Sequence, residues 1–315
     1  MFKWIVIILM LLLLFVALCH YIGEQFLSNL KRRKPGQKFD VKNVDISFYI
    51  NGPLGKIAKE GMAHLKSLAY EDVYIQSFDH LNLHGYLFML NKDSKKFVIG
   101  VHGFQSHALN EFAPHVHYYE EQGFNLLLVD DRAHGHSEGE YITMGTKDRL
   151  DVLNWAKYLV DNYGEDISIL LHGVSMGAAT VLNTSSLEAL PKQVKGIISD
   201  CGFSSARDAF ANQIATLYKV NPSFIMHVCD FYVKHYAGYK LDDVRPIDEV
   251  KKARVPILFV QGGVDFMVPK QMALDLYEAC SSKKKLVLVE EANHAESIAI
   301  NPDAYHQGIE ELFEL

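Results

Sequence analysis

The sequence predicts an α/β fold: a mostly parallel, eight-stranded sheet with helices on both faces and a small helical cap. Two observations carry this reading. Short, continuous apolar runs recur along the chain, as strands buried on both faces require, and stretches with helical spacing separate most of them. A third observation, an interval of over fifty residues between Asp200 and Pro256, breaks the alternation and places an insertion there.

The elements follow in order. From Trp4 to Cys19 the chain is uncharged and almost wholly apolar. A helix of about 20 such residues rises about 30 Å, the thickness of a hydrocarbon core, and apolar on every side it is no surface helix. A cleaved signal peptide is the alternative, but the run is long for one and Ala17-Leu18-Cys19 is a poor cleavage site. Residues 1–23 are therefore expected to form a transmembrane anchor, with the membrane as one partner. Residues 24–43 read as a linker, basic at Lys31-Arg32-Arg33-Lys34 and punctuated by Pro35-Gly36. Taken literally, that basic cluster puts the following domain in the cytoplasm. Very short N-terminal tails commonly stay inside, however, and the cluster also suits anionic headgroups. An extracytoplasmic domain is the reading adopted.

Residues 44–315 are expected to be one catalytic domain. Gly55 to Leu68 has helical spacing at its edge. Val73–Ile75 and Leu81–Leu90 read as paired strands around Asp79-His80. Buried strands follow at Phe97–Val101, Leu126–Val129, Ile167–Leu171, Val194–Ile198, Ile257–Val260 and Leu286–Val289. The helical stretches between them are Glu111–Gln122, Thr146–Asn162, Met176–Leu187, Pro269–Ala279 and Pro302–Phe313. In the long interval, Phe210, Ile214, Leu217 and Tyr218 share a helical face, and Phe224, Ile225, Val228, Phe231 and Tyr232 continue the apolar content. A cap at about 203–250 lining a substrate pocket is preferred over extra core packing. In such sheets chemistry belongs in the loops after the strands' carboxyl ends.

Composition narrows the function. A net charge of −7 without a basic stripe in the globular part argues against nucleic acid. Cys19, Cys201, Cys229 and Cys280 are far apart, with no C-x-x-C, so neither a metal site nor a disulfide framework is expected.

Gly173-Val174-Ser175-Met176-Gly177 lies between the strand Ile167–Leu171 and a helix beginning at Met176. A serine lifted above a sheet on a strand–turn–helix needs a sharp turn flanked by residues without side chains, which Gly173 and Gly177 supply. Such a hydroxyl needs a histidine to take its proton and a carboxylate to orient the histidine. His294 follows the last strand in Glu290-Glu291-Ala292-Asn293-His294, and Asp265 follows Ile257–Val260 in Gly262-Gly263-Val264-Asp265. Asp200 is the rival acid, though Asp200-Cys201-Gly202 better suits the beginning of the cap. His134 and His136 precede Ser175 and read as loop-shaping. For an oxyanion, one backbone donor is expected at Met176 and the other at Phe104, in the loop His102-Gly103-Phe104-Gln105 after an early strand.

Together with Asp131-Arg132-Ala133-His134-Gly135-His136-Ser137-Glu138-Gly139, these residues resemble the α/β-hydrolase superfamily from about Tyr70 to Leu315. Within it the chain is similar to the serine aminopeptidase-like group, which includes monoacylglycerol lipases and carboxylesterases. The anchor together with Leu171-His172-Gly173-Val174-Ser175-Met176-Gly177 resembles membrane-anchored hydrolases of Gram-positive bacteria. Members often carry His-Gly before the acid turn, where this chain has Gln261-Gly262, a strand-end position that need not touch the chemistry. The resemblance implies the α/β-hydrolase fold, no metal or organic cofactor, and hydrolysis of a small ester or short acyl substrate through an acyl-enzyme. Two other readings stand beside it: an aminopeptidase-like amide hydrolase, with Asp208 or Asp230 receiving a free amine, and a non-catalytic ligand-binding scaffold.

Overall fold

The computed structural model describes residues 2–31 and 52–314. Eight strands form one sheet: β1 Glu71–Gln76, β2 Asn82–Phe88, β3 Lys96–Val101, β4 Phe124–Val129, β5 Ser168–Val174, β6 Val194–Asp200, β7 Ile257–Gly262 and β8 Lys284–Val289. Their order is β1-β2-β4-β3-β5-β6-β7-β8. β1 pairs antiparallel with β2 and β2 antiparallel with β4, and the other neighbours pair in parallel. The predicted hairpin followed by a parallel sheet is the observed topology.

The helices are α1 Phe2–Leu30, α2 Gly55–Ser67, α3 Ala108–Phe112, α4 Val116–Glu121, α5 Asp148–Tyr163, α6 Met176–Thr184, α7 Ala206–Tyr218, α8 Ser223–Tyr232, α9 Pro246–Glu249, α10 Lys270–Ala279, α11 Ser297–Ile300 and α12 Pro302–Phe313. The single helix expected at Glu111–Gln122 is α3 and α4 joined by a tighter turn at Ala113–His115. Pro114, which has no N–H to give, sits in that turn.

Successive side chains on each strand point to opposite faces, and two cores result. Val98, Leu126, Leu128, Leu170, Ile198 and Leu258 pack beneath α3, α4 and α12 with Phe112, Tyr305 and Ile309. Phe97, Ile99, Leu127, Ile169, Leu171 and Phe259 pack on the other face with Trp155, Leu159, Val181 and Leu276 of α5, α6 and α10. A third cluster lies where the cap meets the sheet's carboxyl edge and includes Ala133, Met176, Phe203, Met226 and Tyr239.

The sequence reading is corrected at one boundary. Residues 24–30, expected to begin the linker, continue α1 without a break. Leu27 and Leu30 are fully buried, Leu30 within the cap cluster, and the Leu30 carbonyl accepts a hydrogen bond from the Ile142 N–H at 2.7 Å. Burying those leucines on the domain favours helix over linker. The remainder of the expected linker, apart from Lys31, and the residues from 44 to 51 lie outside the described residues. Helix α1 is long and apolar enough to cross a membrane.

Trp155 is fully buried against the sheet. Trp155→Ala is expected to cost about 3–5 kcal/mol, read as a lower urea midpoint, whereas Lys157→Ala on the exposed face of α5 stays within about 0.5 kcal/mol of the parent.

Candidate active site

Ser175 occupies the turn between β5 and α6 with φ 56° and ψ −114°. A non-glycine residue there carries strain of about 1–3 kcal/mol, which the surroundings must over-determine. They do so closely. The Ser175 N–H donates to the Asp200 carbonyl at the end of β6, and the Ser175 carbonyl accepts from Ala179 in α6. A Cβ on Gly173 would overlap the Gly177 carbonyl, and one on Gly177 would overlap the Val101 carbonyl at the end of β3. Both glycines are there because backbone passes where a side chain would have to stand.

The loops after β7 and β8 bring two further predicted residues to Ser175. His294 Nε2 lies 2.9 Å from Ser175 Oγ, and its Nδ1 lies 2.7 Å from Asp265 Oδ2. The carboxylate is itself held: Oδ1 accepts the N–H groups of Met267 and Val268 at 2.9 and 2.8 Å. The Gln261 side-chain amide donates to Oδ2 at 3.1 Å and to the carbonyls of Gly262 and Val268. Gln261, which by its strand-end position need not touch the chemistry, does reach the acid. The side chain at that strand end is fully buried and touches the acid. Burial works against a charged His294, but the hydrogen bond and negative charge of Asp265 outweigh it and raise the imidazole pKa above its ordinary value.

Asp200, the rival acid, points elsewhere. Its carboxylate accepts from the Tyr305 hydroxyl at 3.0 Å, and burial pushes its pKa up to about 7 despite that bond. A carboxyl half-protonated at neutrality is a poor partner for an imidazolium. Tyr305 also contacts His172 Nε2, whose Nδ1 lies 2.7 Å from the Tyr119 hydroxyl. This buried Tyr119–His172–Tyr305–Asp200 chain beneath the serine turn escaped the sequence reading. Its members come from α4, β5, α12 and β6, and nothing local in the sequence links them.

The His102–Phe104 loop abuts the serine: a Cβ on Gly103 would stand 3.3 Å from Ser175 Cβ. Two buried histidines shape it. His102 donates through Nδ1 to the Gly103 carbonyl, and its Nε2 accepts from the Asp131 N–H. His134 Nε2 accepts from the Gln105 N–H, and its Nδ1 donates to the Arg132 carbonyl. Burial pushes His102 down to about 3 and lowers His134, so both stay neutral and keep these tautomers. Met176 opens α6, and its N–H is one of the first-turn amides a helix leaves without a helical partner.

Side chains with metal-ligating atoms gather in three places among the described residues: His64, His117 and Glu120; His115, His172 and Asp200; and Cys201, Asp265 and His294. In each, ring nitrogens are engaged by the hydrogen bonds of His64 to Glu120, of His172 to two tyrosines, and of His294 to Ser175 and Asp265. Of the two carboxylates expected to receive an amine, Asp230 pairs with Arg207 at 2.8 Å, and Asp208 sits in the first turn of α7. Glu111 was not singled out in the sequence, yet its charge reaches both His294 and Asp200.

Comparison with known proteins points to the same fold. The profile of the serine aminopeptidase S33 family matches residues 92–228, and that of the serine hydrolase FSH1 matches residues 171–295. The Bacillus subtilis protein YqkD is 27% identical over 222 residues, which is 70% of this chain and 72% of that one. Among solved structures, the Pyrococcus furiosus esterase Pf2001 superposes with a TM-score of 0.63 at 25% identity, covering 79% of this chain and 91% of the esterase. The Pyrococcus horikoshii acylaminoacyl peptidase shares the fold, with a TM-score of 0.55 at 18% identity over 80% of this chain and 42% of the peptidase. With its sheet order, its serine turn and these likenesses, the chain has the α/β-hydrolase fold and is similar over parts of its length to serine hydrolases.

Proposed function

We propose that the protein hydrolyses carboxylic esters through an acyl-enzyme on Ser175, with His294 and Asp265 completing the triad. One observation carries the reading: a single imidazole spans Ser175 Oγ and Asp265 Oδ2 at 2.9 and 2.7 Å. Neutral His294 carries its proton on Nδ1, bonded to Asp265, and accepts the serine proton on Nε2 as Oγ attacks the ester carbonyl. The tetrahedral oxyanion is stabilised by the Met176 and Phe104 N–H groups, each contributing about 3 kcal/mol. The imidazolium then protonates the departing alkoxide, leaving an acyl-serine. Water, deprotonated by the same Nε2, repeats the attack and releases the acid. The partly buried Phe104, Phe210 and Ile214 beside the cap cluster favour an apolar acyl group. An ester is preferred to an aminoacyl amide because Arg207 already neutralises Asp230. Likeness to an esterase over most of the chain supports the same choice. p-Nitrophenyl esters compared with aminoacyl-anilides distinguish the two.

Helix α1 serves in this reading as a single-pass anchor, with the catalytic domain on the extracytoplasmic side. Protease treatment of intact cells is expected to remove the domain; protection until lysis would reverse the orientation.

A fluorophosphonate probe is expected to label the protein, and Ser175→Ala is expected to abolish labelling and lower kcat by about 10⁶. Labelling that persists in that variant would discard Ser175 as nucleophile. The pH profile is expected to rise as His294 loses its proton. Because Asp265 raises that pKa, the acid limb lies above the ordinary imidazole value of about 6.5. Asp265→Asn moves the limb to lower pH and cuts kcat by about 10⁴. Phe104→Pro, which deletes one oxyanion donor, lowers kcat by about 10²–10³, whereas Phe104→Leu keeps the N–H and most of the rate.

A further inference from the structure

The cap exposes an apolar face that folding leaves uncovered. Leu217, Tyr218 and Val220 at the tip of α7, and Phe224 and Phe231 one above the other on α8, all stand in solvent, with Leu217, Tyr218 and Phe231 about 70% exposed. Large apolar side chains exposed together on one small cap mark an interaction surface. What covers it is indicated by its neighbour. Helix α8 packs along α1: the Phe224 ring lies 5.6 Å from that of Phe15, and the Tyr232 hydroxyl lies 2.7 Å from His20 Nδ1. Between the two helices runs an apolar groove of about 480 Å³, lined by Phe15, Val16 and Cys19 on one side and Val228, Phe231 and Tyr232 on the other.

The register of these contacts sets a depth. No charged residue occurs between Lys3 and Glu24, so a hydrocarbon slab crossed by α1 must lie between them. Phe15 is nine residues inside Glu24, or about 13 Å along the helix axis, and His20 about 6 Å. A membrane that holds α1 therefore holds Phe224 and Phe231 below its surface as well. Lys234, near the level of His20, is exposed with a stem long enough to reach headgroups, and Asp230 is paired with Arg207, whereas Lys219 shares the deeper level of Phe224 and is the charge that this placement has to accommodate. Just outside the slab, past Glu24, aromatic contacts run towards the site, from Phe26 of α1 to Phe210 of α7 at 4.9 Å and on to Phe104 at 6.1 Å.

We propose that the α7–α8 tip of the cap is immersed in the leaflet of the bilayer that α1 crosses, making the lipid the partner of this face and esters dissolved in the leaflet the substrates it admits. The inference rests on the anchor and ester-hydrolase readings above. Burial of this face removes apolar surface from water, acyl chains fill the α1–α8 groove, and the aromatic contacts lead from the leaflet to the oxyanion loop.

The test uses the full chain in phosphatidylcholine–phosphatidylglycerol vesicles. Trp4→Phe removes the tryptophan of α1, and buried Trp155 supplies a constant background. Phe224→Trp is then expected to be quenched by phosphatidylcholine brominated along its acyl chains, while Tyr74→Trp on the distant edge strand β1 is not. In the native background, Leu217→Ser, Phe224→Ser and Phe231→Ser combined should leave hydrolysis of a water-soluble short-chain ester unchanged. The same variant should hydrolyse a long-chain ester embedded in the vesicles about tenfold more slowly or worse. Carbonate extraction separates the possible failures. A chain released by carbonate overturns the anchor reading and this inference together. A Phe224→Trp chain that is retained in the membrane but escapes quenching overturns the inference alone. Equal rates for parent and triple variant on the embedded ester overturn the claim about substrate. Absence of ester hydrolysis by the parent overturns the proposed activity, while quenching still reports the seat of the cap.

Discussion

Ser175 is held at φ 56° by contacts from three strands: the end of β6 receives its N–H, the end of β3 blocks any side chain on Gly177, and β5 delivers it. The strain is small beside the buried area of the two cores, so the sheet can sustain it. In return the hydroxyl stands proud of the strand ends, where the loops after β7 and β8 can reach it. The order of the central strands, β3-β5-β6-β7-β8, brings those loops to the same edge. The serine turn is thus the fixed point, and the imidazole and carboxylate are placed relative to it.

Much of the remaining polar interior keeps loops in register. Arg132, after β4, makes paired hydrogen bonds to both Asp151 and Asp79, tying the loop to α5 and to the β1–β2 turn. Removing one partner of such a buried ion pair typically costs about 3–5 kcal/mol, because the other charge stays behind unpaired. Beside it, neutral His102 and His134 latch the His102–Phe104 loop to the segment that Arg132 anchors. His-Gly-Phe and Asp-Arg-Ala-His-Gly-His are therefore one device in space: the second motif holds the first at Ser175.

The N-terminal helix belongs to the same arrangement. Its last turn reaches the loop that carries Phe104, through the Gln105 side-chain amide, which donates to the Asn29 carbonyl at 2.6 Å. Lys31 forms a bridge to Tyr141. A segment long and apolar enough to cross a membrane thus ends as part of the wall beside the candidate site, and the position of the cap relative to α1 follows from side-chain packing along α8.

The sequence by itself determined the fold class, because strand burial and helix amphipathicity are periodic properties of neighbouring residues and survive without any knowledge of contacts. It also singled out Ser175, Asp265 and His294, because each follows a recognisable apolar strand and the chain order of such loops constrains which can meet. Only the tertiary structure decided what depends on contacts between distant segments. Gln261 touches Asp265 because a side chain at a strand end lies under the following turn. Asp200 turns to Tyr305 and away from His294 because α12 supplies a hydroxyl there. The helix of α1 persists to Leu30 because the cap offers a surface on which to bury Leu27 and Leu30. In each case the deciding energy comes from desolvation and hydrogen bonding between segments far apart in the chain, which no local pattern of residues encodes.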